Sequence, residues 1–197
     1  MSNHPNHPIS RFPVPELTDL PDDIREKLIA VQDKAGFVPN VFLTLAHRPD
    51  EFRAFFLYHD ALMLKETGHL TKADREMIVT TTSARNQCLY CVVAHGALLR
   101  IYAKNTLVAD QVAVNHLKAD ITPRQKAMLD FAVKVCVESH TVDDADYATL
   151  RAHGFDDEDV WDIAAITAFF GLSNRMANVI SMRPNDEFFV LGRAARK

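Results

Sequence analysis

From about residue 22 onward the apolar residues of this chain recur at threes and fours, and helix start and stop signals punctuate the runs. That period commits the backbone to helices, because a half-buried strand needs strict alternation. In PDEFRAFFLYHDALMLKETG, Phe52, Phe55, Phe56, His59, Leu62 and Met63 share one face, and Gly68 is the expected stop. Upstream, DDIREKLIAVQDKAG opens on acids suited to the positive end of a helix and closes on Gly36, and a short helix, PNVFLTLAH, ends at RPD. Thr71 reads as the cap of TKADREM. Thr122 caps TPRQKAM with Pro123 at the first helical position, and a block of acids opens DDEDVWDIAAITAFFG. Nothing reads as a hairpin, so the expected fold class is all-α, a helical bundle. Two segments, REMIVTTTSARNQCLYCVVAHG and DVWDIAAITAFFGLSNRMANVI, each suggest a helix, an asparagine break and a second helix, an echo that would suit two pseudo-repeated halves. Residues 1–16 alternate proline with polar groups and read as an extended arm ahead of one all-α domain, 17–197. The arm's NHPNHP repeat invites a metal reading of His4 and His7, although flexible termini carry such histidines by chance.

Bulk properties narrow the function classes. At 197 residues the chain is long enough to bury a core without a cofactor to hold it together. Its formal charge of -4, from 22 basic and 26 acidic residues spread along the chain, leaves no basic stripe, so no nucleic-acid partner is expected. The N-terminal stretch has no cationic region leading into an apolar one, and no apolar run approaches the roughly 18 residues of a membrane span. A cytoplasmic protein without a membrane partner is the expectation. Three cysteines are too few and too odd in number for a secreted disulfide scaffold, and in a reducing compartment a C-x-x-C is more often catalytic or metal-binding.

The segment DREMIVTTTSARNQCLYCVVAHGALLR concentrates the chemistry, with Glu76 twelve residues before Cys88, then Cys91 and His95. At about 100° per residue, Cys88, Cys91 and His95 lie within roughly 60° on one helix face. Glu76 cannot join them along a straight helix, which at 1.5 Å per residue would leave it about 18 Å away. The chain must therefore break near Asn86, a good N-cap residue, and fold back as a helical hairpin, which brings Glu76 closest to His95. A helix N-terminus and a nearby imidazole lower a thiol's pKa, and a second thiol turns one-way oxidation into a cycle of sulfenic acid, disulfide and reduction by an external dithiol. Glu76 and His95 would shuttle the proton to the leaving oxygen.

The spacing Glu76, eleven residues, Cys88, two, Cys91, three, His95 resembles the signature of the AhpD-like alkylhydroperoxidases within the carboxymuconolactone decarboxylase superfamily. The likeness is greatest to the branch of uncharacterised peroxidase-related enzymes. Its motif core covers about residues 50–110, and GFVPNVFLTLAHRPDEF, ITPRQKAMLDFAVKV and NRMANVI extend it. The resemblance implies an all-helical fold assembled as a homo-oligomer, a hydroperoxide substrate, and a dithiol reductant such as a lipoyl or thioredoxin-like protein. It also implies that Cys91 attacks peroxide, Cys88 resolves, and Glu76 with His95 relays protons. The helix dipole by itself favours Cys88, nearer the helix start, as the more acidic thiol. One position departs from the pattern: where the best-known type has a histidine just before the second cysteine, this chain has Tyr90, a poor base at neutral pH.

Other readings compete. Cys88, Cys91, His95 and Glu76 have zinc-ligand chemistry, yet thiolates three apart on one regular helix seldom converge on a tetrahedral ion, so no metal and no cofactor is expected. A thiol-disulfide exchange protein with little peroxidase activity, and a non-catalytic redox sensor, remain alternatives. The decarboxylase branch works without a cysteine pair, so the C-x-x-C argues against it. Cys136 in LDFAVKVCVES and Trp161 read as core, His59 as a core or interface histidine near the site, and Asn174 with Arg175 as a helix cap or subunit contact.

Overall fold

The computed structural model describes residues 8–193, over which ten α-helices and no strand form. In chain order they are α1 Asp22–Ala35, α2 Asn40–Leu45, α3 Pro49–Met63, α4 Lys72–Arg85, α5 Leu89–Ala103, α6 Val108–Asn115, α7 Pro123–Glu138, α8 Asp144–Ala152, α9 Asp157–Val179 and α10 Asp186–Val190. The helices α5, α6, α7 and α9 surround α4, whose residues are buried without interruption from Asp74 to Ser83. The main core lies between these helices and includes Ile78, Leu99, Met128, Leu129, Ile163 and Ile166. A separate apolar cluster contains both Cys88 and Cys91 with Tyr90, Ala94, Ala177 and Phe188. No helix of the described residues is long and apolar enough to cross a membrane.

The start signals work as expected. Thr71 Oγ1 accepts from the Asp74 N–H at 3.1 Å while Asp74 Oδ2 accepts from the Thr71 N–H at 3.0 Å, the reciprocal capping box that fixes where α4 begins. Thr122 and Gln125 repeat the device at α7, and Asp156 with Asp159 at α9. Gly36 ends α1 at φ 82°, a conformation that costs glycine little.

Two elements differ from the sequence reading. α3 stops at Met63, well before Gly68. The cause is Arg75, 1% exposed, whose guanidinium takes the Leu62 carbonyl at 2.9 Å, the Thr67 carbonyl at 3.4 Å and Asp162 Oδ2 at 3.4 Å, so a buried cation replaces the next turn as partner of the helix end. And α9 runs unbroken for 23 residues through Asn174, where the echo with the earlier segment suggested a break. The Asn174 side chain is satisfied by neighbouring helices and does not cap its own. Of the N-terminal arm, the described part pairs with the chain after α9, Arg11 N–H donating to Ile180 O at 2.8 Å and Arg183 N–H to Ile9 O at 3.3 Å. His4 and His7 lie outside the described residues.

Candidate active site

Between α4 and α5 the chain turns over three residues. The Asn86 N–H still bonds to Thr82 O at 3.0 Å, Gln87 takes φ 52°, and the Cys88 N–H donates to Ser83 O at 3.0 Å. The break falls where the spacing requires it, but the N-cap of α5 is Cys88. Asn86 instead closes α4 and turns its side chain toward α9. This places the Cys88 sulfur at the positive end of α5.

The turn makes α4 and α5 a hairpin, and Glu76 Oε2 meets His95 Nδ1 at 2.7 Å. An ionised carboxylate only accepts, so the Nδ1 proton is shared with Glu76 and Nε2 is left for chemistry. Glu76 is 4% exposed. The edge of Phe170 closes on the His95 ring at 4.7 Å between centroids. His59 packs on the same Phe170, with Nδ1 on Asp60 Oδ1 at 2.9 Å. Burial holds His59 below its ordinary pKa, opposed by that hydrogen bond, and the charge of His95 acts in the same direction as burial.

Both thiols are free, and both lie in the same apolar cluster. The neighbouring Cys91 draws Cys88 down to about 7 against the effect of burial, helped by the Asn174 amide and the charge of His95. Cys88 in turn, with burial, pushes Cys91 well up. In these directions Cys88 is the more acidic thiol of the two. Ser173 Oγ lies 3.8 Å from Cys91 Sγ. Cys88 and Cys91 are 1% and 2% exposed.

Several side chains stand where the sequence did not put them. The Tyr90 oxygen accepts from the Val41 N–H at 3.1 Å, so this residue ties α2 to α5, and burial pushes its phenol further up. Cys136 is only half-buried, its sulfur 3.7 Å from Asn86 Oδ1, and burial pushes its thiol up. Trp161 is 73% exposed and packs no core. Asn174, read as a cap or subunit contact, is fully buried against α4, its Nδ2 donating to Ser83 Oγ at 2.9 Å. A signal for it was present: Ile163, Ile166, Phe170, Asn174 and Ala177 form one stripe at threes and fours, which puts the amide on the core face. Among the described residues, ligand atoms of three or more His, Cys, Asp or Glu side chains converge only at His69, Asp156 and Asp159, where both aspartates also cap α9.

A helical hairpin that carries C-x-x-C on one arm and pairs a carboxylate with an imidazole across both defines the class to which this chain is similar. Residues 49–105 match the carboxymuconolactone decarboxylase family. A structure described as an alkylhydroperoxidase AhpD core, an uncharacterized peroxidase-related protein from Ralstonia eutropha JMP134, is 77% identical with TM-score 0.95, covering 96% of this chain and 100% of that one. An uncharacterized peroxidase-related protein from Silicibacter sp. TM1040 is 38% identical with TM-score 0.89, covering 95% and 97%. The debrominase Bmp8 in complex with 2,3,4-tribromopyrrole shares the fold at 19% identity and TM-score 0.71, over 93% and 94%. No curated protein matches the chain. The chain belongs to the AhpD-like proteins of the carboxymuconolactone decarboxylase family.

Proposed function

We propose that the protein is a thiol-dependent peroxidase of the AhpD type, with Cys88, Cys91, His95 and Glu76 as its catalytic residues. The observation that supports this reading is the thiol pair at the start of α5, on the same helix as an imidazole held at 2.7 Å by a buried carboxylate. A thiol brought down to about 7 is about half ionised at neutral pH, whereas an ordinary cysteine is a few per cent thiolate.

The Cys88 thiolate attacks the terminal oxygen of a hydroperoxide. The O–O bond breaks, and the departing alkoxide takes a proton delivered through His95, whose Nδ1 stays on Glu76. Cys88 is now a sulfenic acid. The Cys91 sulfur displaces its hydroxyl, forming the disulfide and releasing water, and an external dithiol of lipoyl or thioredoxin-like chemistry restores both thiols by two exchange steps, becoming a disulfide itself. The resemblance assigned first attack to Cys91; the geometry favours Cys88, at the helix terminus. The working form is a homo-oligomer, with two, three or six subunits expected.

Tyr90 favours a second reading. With its oxygen committed to Val41, no base stands just before Cys91, which suits thiol-disulfide exchange with little peroxidase turnover. Intact-mass measurement after one equivalent of alkyl hydroperoxide decides whether the pair is redox-active: loss of two hydrogens mapped to the peptide holding Cys88 and Cys91 is expected, and an unchanged mass would sink both readings. Steady-state turnover with hydroperoxide and dithiol then separates peroxidase from exchange protein.

A further inference from the structure

We propose that Ser173, in the last third of α9, is a further catalytic residue: its hydroxyl donates to the Cys91 sulfur whenever that sulfur carries negative charge, as the nucleophile that closes the disulfide and as the leaving group when an external dithiol reopens it. This rests on the dithiol reading above. α9 runs back along the thiol hairpin, and its contacts come in order. The Phe170 ring stands edge-on to His95 at 4.7 Å, Ser173 Oγ lies 3.8 Å from Cys91 Sγ, Asn174 Nδ2 donates to Ser83 Oγ at 2.9 Å, and Asn178 Nδ2 donates to Asn86 O at 3.2 Å. Contacts on both sides therefore hold Ser173 level with Cys91. Its hydroxyl is also uncommitted. Helix hydroxyls commonly turn back to the carbonyl one turn earlier, as Thr167 does to Ile163 O and Thr82 to Ile78 O, each at 2.8 Å. Ser173 makes no such bond, and its hydrogen-bonding partner among the described residues is the Cys91 sulfur. At 7% exposed, it meets little competing water.

While the thiol is protonated either atom of this contact can donate; once the sulfur is a thiolate only the hydroxyl can. A hydrogen bond to a charged acceptor is shorter and stronger than one to a neutral group, so a contact that is loose in the resting pair tightens when charge arrives. Cys91 is pushed well up and enters the second step with its proton. His95 Nε2, having given a proton to the alkoxide, takes this one. The Cys91 sulfur then supplies the electron pair of the S–S bond, the S–O bond of the Cys88 sulfenic acid breaks, and the departing hydroxide recovers the proton from His95 as water. In the return direction a thiolate of the external dithiol attacks the Cys88 sulfur and the S–S electron pair leaves on Cys91; a leaving thiolate that is stabilised leaves faster. The second thiol of the reductant releases Cys88, and the reductant departs as a disulfide with its two protons left on the protein thiols. Ser173 serves both directions without changing its own protonation.

The test follows single turnovers of wild type, Ser173→Ala and Ser173→Thr with one equivalent of tert-butyl hydroperoxide, dimedone being added at increasing delays, and then reduction of the disulfide by dithiothreitol. In Ser173→Ala the sulfenic acid should form at the wild-type rate but persist about tenfold longer, and dithiothreitol should reduce the disulfide about tenfold more slowly, the scale of one hydrogen bond to a charged group. Ser173→Thr keeps the hydroxyl and should bring both rates back. Thr167→Ala removes a buried α9 hydroxyl spent on its own helix; it should lower the melting temperature and move neither rate, as a merely structural residue would. Wild-type values of both rates in Ser173→Ala, or equal losses in the alanine and threonine variants, overturn this inference and leave the dithiol reading standing. A Ser173→Ala protein slowed in forming the sulfenic acid and not in closing the disulfide also overturns it, because the charge would then fall on Cys91 in the first step. A wild type in which neither sulfenic acid nor disulfide forms overturns the dithiol reading together with it.

Discussion

Cys88 and Cys91 stand three positions apart, yet their surroundings move the two thiols in opposite directions. Because Cys88 is brought down to about 7 and Cys91 pushed up, alkylation of the reduced protein should rise with pH through about 7 and then level, with label on Cys88 first; peptide mapping across pH 5 to 9 measures it. The sign follows from the thiolate being the reactive form, present above the pKa and lost below it. In Cys91→Ser a serine hydroxyl can still donate to Cys88, so one peroxide should be consumed and a dimedone-trappable sulfenic acid should remain. Cys88→Ser should abolish that first oxidation. The reverse pattern would return first attack to Cys91, as the family resemblance implies. Glu76→Gln leaves a neutral amide opposite His95 Nδ1 and should slow peroxide turnover by about 10²–10⁴-fold, the usual worth of a positioned proton shuttle, with disulfide formation retained.

Each element here owes its ends to particular residues, and those ends differ in how legible they are. Thr71, Thr122 and Asp156 could be read as caps because a cap is local: side chain and amide sit three residues apart. The early end of α3 could not, since it depends on Arg75 arriving from the next helix and on Asp162 from α9. Arg75→Met should therefore destabilise by about 1–3 kcal/mol, the usual consequence of leaving a buried acceptor unpaired, here the Leu62 carbonyl, while Lys65 still holds Asp162 at 2.9 Å; denaturant unfolding measures it. Tyr90 teaches the same lesson inside the motif. The family resemblance implies that it stands where a base is usual, but only the fold shows its oxygen on the Val41 N–H of α2. Tyr90→Phe should cost about 1–3 kcal/mol for the orphaned amide, and Tyr90→His should give no gain in peroxidase rate, because the ring stands in a structural joint. The Glu76 to His95 pairing, by contrast, was forced by spacing alone: helical rise excludes it unless the chain turns, and the turn at Gln87 supplies it.

Viewed whole, the molecule leaves apolar surface that the single chain does not use. Along the outer face of α9, Trp161, Ala165, Ala168, Leu172, Met176 and Val179 follow one another at threes and fours, with Trp161 73%, Leu172 54% and Val179 65% exposed. The α3 stripe of Ala54, Leu57, Tyr58, Ala61 and Leu64 adjoins it, since the Tyr58 ring stands edge-on to Phe169 at 5.5 Å. A regular apolar helix face beside a second is the pattern that helix-helix association buries, and it is more than scattered surface leucines would give. It also explains why Trp161 reads as core from sequence: periodicity identifies a face that will be covered, without saying whether its own chain or another copy covers it. We expect light scattering at micromolar concentration to give a multiple of 22.2 kDa. Leu172→Glu with Met176→Glu should reduce it toward one subunit, because two charges would then have to be desolvated in the contact. Ser173 leaves this stretch of α9 toward the Cys91 sulfur at 3.8 Å, so the dissociated variant should also show a shifted thiol titration if subunit packing holds that turn in register. A wild type that scatters as a single 22.2 kDa chain would show that the face is left bare.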